Sequence, residues 1–173
     1  MAKKILLIIA PKDFRDEELF VTKEVLDGKG YQTEIASLKK EVIKGMLGGE
    51  AKPDLTLDEA ALRLKDYSAV VFIGGSGAMT YFENDLALEI AKTAHKEGKV
   101  VAAICIAPII LANAGILEGK EATVFNGKYA DMLKSKGAKY KNEEVVVDGK
   151  VVTANGPNAA RKFGETIAKI LEE

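Results

Sequence analysis

Hydrophobic positions along this chain fall into short unbroken runs, separated by longer stretches where they recur every three or four residues. Lys4–Ala10 (KILLIIA), Ala69–Ile73 (AVVFI) and Val100–Ile104 (VVAAI) are almost continuously apolar, as strands covered on both faces must be. Tyr31–Ser37 alternates and predicts another strand. A helix is expected over Asp13–Gly30, with Leu19, Val21, Val25 and Leu26 toward one side and Gly28 and Gly30 ending it. Leu57–Lys65, Asn84–Glu97, Ile106–Ala114, Lys128–Lys136 and Asn158–Leu171 predict further helices. Glu41–Thr56 carries Gly45, Gly48, Gly49 and Pro53 and predicts a hairpin or an irregular excursion. Ala122–Phe125 predicts a short strand. Glu144–Val147 and Val151–Thr153 flank Asp148-Gly149, a hairpin signal. Apolar strands alternating with helices predict one α/β domain over 1–173, a parallel sheet between helices.

At 173 residues the chain can bury a core without disulfide staples. Lys+Arg is 25 and Asp+Glu is 26, giving a net charge of −1, with none of the basic excess that nucleic acid demands. Val100–Leu117 has no formal charge and meets the length of about 18 residues for a membrane span. It contains Pro108 and Asn113 and stands alone, so a buried strand followed by a buried helix is expected, and no membrane partner. The apolar run after Met1-Ala2-Lys3-Lys4 is too short for a leader and lacks a small-residue cleavage site; a cytoplasmic protein is expected. One cysteine excludes an internal disulfide, and with only one histidine, His95, no metal site is expected.

Ligands of open α/β sheets bind beyond the carboxyl ends of the strands. The segment Ala103-Ile104-Cys105-Ile106-Ala107 has the form of a nucleophile elbow, a sharp strand-to-helix turn. Its strained backbone needs small residues two before and two after the nucleophile, and both are alanine. The following helix dipole predicts an acidic thiol at Cys105. A small buried thiol without chemistry satisfies the same spacing. Gly74-Gly75, after the AVVFI strand, either ends that strand in a turn or lets backbone N–H groups approach an oxyanion. Asp16, Glu17 and Glu18 suit the first turn of a helix, and one of them can instead turn back over the sheet edge as a proton carrier. His95 precedes the Val100–Ile104 strand while Cys105 follows it. Five strand residues put them roughly 16 Å or more apart, so no Cys–His pair is expected within one chain.

Taken together, Asp16-Glu17-Glu18-Leu19, Ile73-Gly74-Gly75, the Ala-Ile-Cys elbow ending in Ala107-Pro108, and Thr153-Ala154-Asn155-Gly156-Pro157 resemble the ThiJ/PfpI superfamily over almost the whole chain. The resemblance implies a flavodoxin-like three-layer sandwich and a homodimer or higher oligomer. It implies that Cys105 is the nucleophile and Glu18 a protonated glutamate bonded to it. Gly74 and Gly75 match oxyanion-hole glycines, Ile106 contributes a second N–H, and Gly156 and Pro157 match a pocket-lining loop. The protease branch has histidine directly after the nucleophile, where this chain has Ile106. Phe125 occupies a region where the deglycase branch carries histidine.

The expected function is that of a cofactor-independent cysteine enzyme acting on a small carbonyl compound or a glycated protein, of glyoxalase or deglycase type. Three other readings stand beside it. Cys105 is a redox sensor; or a peptidase takes its missing base from a neighbouring subunit; or the site is degenerate and performs no chemistry. Peptide cleavage needs a general acid for the leaving amine, and the substitution by Ile106 removes it.

Overall fold

The computed structural model describes residues 3–173; the Met1-Ala2 portion of the leader reading lies outside them. The chain runs through β1 (Lys4–Ile8), α1 (Asp16–Gly28), β2 (Gln32–Ser37), β3 (Ile43–Lys44), β4 (Glu50–Ala51), β5 (Leu55–Thr56) and α2 (Leu57–Leu62). It continues through β6 (Tyr67–Phe72), α3 (Asp85–Lys96), β7 (Val100–Ile104), α4 (Pro108–Asn113), β8 (Glu121–Ala122) and α5 (Lys128–Ser135). The last elements are β9 (Lys139–Tyr140), β10 (Val145–Asp148), β11 (Val151–Ala154) and α6 (Ala160–Leu171).

The central sheet has the order β10-β11-β7-β6-β1-β2-β5, parallel throughout except for the antiparallel β10–β11 hairpin. Alternate strand residues feed two cores. Ile5, Leu7, Val71 and Ile104 pack with Leu19 and Leu26 of α1 and Phe163 and Ile167 of α6. Leu6, Ile8, Phe72 and Ala103 pack with Ile90 of α3, Ile110 of α4 and Leu133 of α5. Because both faces are covered, these strands are apolar in unbroken runs rather than in alternation. The result is the three-layer, flavodoxin-like α/β arrangement. The uncharged Val100–Leu117 stretch is β7 followed by α4, and among the described residues no helix is long and apolar enough to cross a membrane.

Local departures from the expected boundaries have physical causes. The first helix starts at Asp16 rather than Asp13, because Asp13 takes φ 54° and the loop after β1 is tied elsewhere. Asp13 N–H donates to the Lys44 carbonyl (3.0 Å), and its carbonyl accepts from Gly77 N–H (3.1 Å). The excursion at Glu41–Thr56 contains the antiparallel β3–β4 hairpin and the two-residue edge strand β5, which the sequence pattern did not reveal. The strand expected over Ala122–Phe125 is reduced to Glu121–Ala122, which pairs in parallel with β9 outside the central sheet. Its continuation is drawn away because Phe125 N–H donates to the Cys105 carbonyl (2.8 Å).

Candidate active site

The chain leaves β1 toward β2 on one side and returns through β6 on the other, so the topological switch point lies between β1 and β6. A crevice is expected there, at the carboxyl ends of the strands. Glu18 arrives after β1, Gly74 and Gly75 after β6, and Cys105 after β7.

Cys105 has φ 66°, a left-handed conformation that costs a non-glycine residue on the order of 1 kcal/mol or more. The neighbours hold it there. Cys105 N–H donates to the Ala154 carbonyl (2.9 Å) and Ala107 N–H closes the turn on the Ile104 carbonyl (3.1 Å). Ala103 and Ala107 are fully buried, so the small residues that flank the elbow are needed for space. The thiol is itself buried, at 7% exposure.

Glu18, in the first turn of α1, is completely buried. Both of its carboxyl oxygens lack a hydrogen-bond partner of ordinary geometry among the described residues; the Cys105 thiol and the Gly74 N–H are the groups that act on them. Desolvation raises the carboxyl from its ordinary 4.5 to about 8, which favours its protonated form near neutrality. Glu18 is therefore the acid that turns back over the sheet edge. Asp16 instead accepts from Leu47 N–H (2.8 Å) and Gly49 N–H (2.7 Å) and fastens the β3–β4 hairpin. Glu17 accepts from Arg15 Nε at 2.8 Å and Nη2 at 3.1 Å, which holds its carboxylate below the usual range.

The two glycines have separate duties. A Cβ on Gly74 would lie 2.5 Å from Cys105 Cβ, 2.5 Å from Glu18 Oε1 and 2.6 Å from the Ile104 carbonyl oxygen. Only a hydrogen fits between acid and thiol. Gly75 has φ 107° and its missing Cβ would strike the Asp13 carbonyl oxygen at 2.5 Å. The Gly75 and Ile106 N–H groups both face the sulfur and favour its anionic form. Burial outweighs them. It pushes the thiol from its ordinary 9.0 up to about 12, with the Glu18 carboxylate the next cause. The acidic thiol expected from the helix dipole is thus corrected: α4 has only six residues and begins at Pro108, beyond the elbow.

A cavity of about 190 Å³ opens onto Cys105, Gly75 and Ile106. It is also lined by Met46 from the β3–β4 hairpin, Arg15 from the loop after β1, Ser76, Phe125, Tyr129 and Pro157. Phe125 and Tyr129 meet edge to face with ring centroids 6.4 Å apart. Gly74 sits behind the thiol, and Gly156 stands behind Phe125, whose ring carbon lies 3.6 Å from the place of its missing Cβ. Arg15, Met46 and Tyr129 were not read as site residues from the sequence. Arg15 adjoins the Asp16-Glu17-Glu18 run, which was the available signal; Met46 lies on a hairpin with no periodicity to place it. His95, in the last turn of α3, lies at the amino end of β7, away from Cys105. Desolvation lowers its pKa, and Lys120 adds to the effect.

Comparison with known proteins finds relatives over nearly the whole chain. The family model described as the DJ-1/PfpI family matches residues 3–170. The chain is 35% identical over 167 residues to a protein named deglycase PfpI from Pyrococcus furiosus, covering 96% of this chain and 99% of that one. It is 30% identical over 170 residues to a protein named glutathione-independent glyoxalase DJR-1.2 from Caenorhabditis elegans, covering 98% and 89%. A crystal structure of a ThiJ/PfpI domain protein from Brachyspira murdochii superimposes with a TM-score of 0.94 at 32% identity, covering 99% of this chain and 97% of that one. With its elbow cysteine, its buried glutamate and the sheet that brings them together, the chain belongs to the DJ-1/PfpI family.

Proposed function

We propose that this protein is a cofactor-independent cysteine enzyme that acts on reactive carbonyls, of the glyoxalase or deglycase type. The observation that carries this reading is the fully buried Glu18 carboxyl packed beside the Cys105 thiol at Gly74, where burial favours the protonated acid. Sulfur adds to the carbonyl carbon, forming the S–C bond as the C=O π bond breaks. Glu18 takes the thiol proton on one oxygen and returns its own from the other to the developing alkoxide. The carboxyl ends as it began, and this first step leaves a thiohemiacetal on Cys105, from which a proton shift between the two former carbonyl carbons and hydrolysis of the resulting thioester give the hydroxy acid and free thiol. The Gly75 and Ile106 N–H groups stabilise charge at the reacting atoms. Such a relay needs a protonated acid and no preformed thiolate, which suits a thiol whose pKa burial has raised.

The names of the relatives, a deglycase and a glutathione-independent glyoxalase, support the same carbonyl class. Free glyoxals or glycated side chains are the proposed substrates, and a reducing compartment such as the cytoplasm keeps the lone thiol available. Peptidase action is disfavoured because Ile106 supplies no leaving-group acid and His95 lies at the far end of β7. Phe20, Val42 and Leu47 expose apolar side chains on α1 and around the hairpin, which supports the proposed homo-oligomer. The test is glutathione-free turnover of methylglyoxal to lactate. Loss of turnover in both Cys105→Ala and Glu18→Gln supports the reading; a reduced, folded wild type without turnover overturns it.

A further inference from the structure

Among the described residues, Arg15 is the one charged side chain on the wall of the cavity that holds Cys105. Apart from the Cys105 thiol, the other described side chains there are apolar, aromatic or hydroxylic. Nε and Nη2 donate to the two oxygens of Glu17. Glu17 itself does not line the cavity. Nη1 makes no hydrogen bond among the described residues, so the guanidinium is held in place from behind with donors left over. The side chain is 30% exposed, so its charge is only partly screened by solvent. A guanidinium presents paired donors that match the two oxygens of a carboxylate. A cavity of about 190 Å³ admits only a small partner.

Building on the carbonyl reading above, we infer that Arg15 is a specificity-determining residue that selects small aldehydes or 2-oxo compounds bearing a carboxylate, the free Arg15 donors taking the carboxylate while Cys105 meets the carbonyl carbon. Glu17 acts through Arg15 and is a positioning residue. The attraction also holds the anion near the Gly75 and Ile106 N–H groups.

Alkylation of Cys105 measures this preference independently of turnover. Iodoacetate and iodoacetamide are nearly the same size and both form an S–C bond with loss of iodide, but only the first carries a carboxylate. The ratio of their rate constants, followed by intact mass, is expected to be about fivefold higher in the wild type than in Arg15→Gln, with Arg15→Lys between the two. In the wild type alone the ratio is expected to fall as ionic strength rises from about 0.02 to about 0.5 M, a readout that survives even if a variant fails to fold. An equal ratio in wild type and Arg15→Gln, or no salt dependence, overturns the inference. Glyoxylate adds reversibly to a thiol but lacks the adjacent ketone that conversion to a hydroxy acid requires, so it should inhibit methylglyoxal turnover competitively, and more weakly in Arg15→Gln. No turnover of methylglyoxal, with the alkylation preference intact, removes the carbonyl enzyme and leaves the anion site. Turnover with no alkylation preference removes the anion site alone.

Discussion

The Glu18 carboxyl and the Cys105 thiol share one buried niche, so close that a Cβ on Gly74 would lie 2.5 Å from atoms of both. Acid and nucleophile come from different strand-to-helix connections, after β1 and after β7. Their meeting is a product of the parallel sheet, which delivers all of its carboxyl ends to one edge.

That proximity sets a pH signature. Burial raises Glu18 from 4.5 to about 8, so the native state keeps a proton that the unfolded chain releases. The corresponding stability is full below about pH 4.5 and is lost as pH rises to about 8. Chemical denaturation between pH 5 and 8.5 should show a decline of a few kcal/mol that flattens in Glu18→Gln. Turnover, which needs the protonated acid, should fall as pH rises through about 8. A rate that climbs through that region would contradict the relay.

The thiol titration follows from the same pair. Burial is the first cause of the raised Cys105 pKa, and the Glu18 carboxylate adds repulsion once Glu18 ionises. Iodoacetamide alkylation of the wild type should keep accelerating above pH 9, with no plateau near neutrality. In Glu18→Gln the repulsion is gone, so the apparent pKa should fall and the rate at pH 9 should rise. A wild-type plateau near pH 7 would show an activated thiolate instead.

Gly74 is expected to be intolerant of the smallest addition. Its backbone does not take a positive φ, so alanine is sterically legal along the chain, and the cost comes from the packing around Cys105, Glu18 and the Ile104 carbonyl. Gly74→Ala should lose about 1–3 kcal/mol of stability and most of the turnover. Gly28→Ala, at the end of α1 with nothing near its missing Cβ, is the matched control and should be neutral or slightly stabilising. Equal melting behaviour in the two variants would show that the niche has slack.

Much of this arrangement was legible in the sequence because strong local physics marked it. Continuous apolar runs identified β1, β6 and β7, and paired alanines around Cys105 identified an elbow that the structure places at φ 66°. The choice among Asp16, Glu17 and Glu18 was not legible. All three suit a helix start, and only the direction of each side chain separates a hairpin clamp, an ion pair and a buried acid. The two-residue strands β5 and β9 were equally hidden, since two residues show no period. The thiol's acidity was misjudged because a helix dipole can be anticipated from the sequence, whereas the depth of burial that overrides it arises only on folding.

Asp16 gives a prediction about shape. Its carboxylate accepts from Leu47 and Gly49 N–H at the tip of the β3–β4 hairpin, and that hairpin carries Met46 onto the cavity wall. Asp16→Ala should leave two backbone donors without their acceptor and cost about 1–3 kcal/mol. With Met46 less well placed, the effect on turnover should fall mainly on KM, with kcat less changed. A variant that lost kcat at unchanged KM would place Asp16 in the chemistry itself.

Peroxide separates carbonyl chemistry from redox sensing. Oxidation depends on thiolate character and access, and Cys105 is buried with its pKa pushed up to about 12. Peroxide should therefore oxidise Cys105 more slowly at pH 7 than it oxidises free cysteine, and faster as pH rises. Each step transfers one oxygen atom to sulfur and leaves water. With a single cysteine in the chain, no internal disulfide can intercept the sulfenic acid, so the next stable product is the sulfinic acid with two added oxygens. In that product Glu18, still neutral, has a proton to donate to a sulfinate oxygen, and Glu18→Gln should weaken the stop at two oxygens. Intact mass spectrometry over a peroxide titration reads both quantities. Oxidation at pH 7 faster than that of free cysteine, ending cleanly at two oxygens, would make the sensor the better account of Cys105. Slow oxidation alongside methylglyoxal turnover would assign the same pair of residues to carbonyl addition.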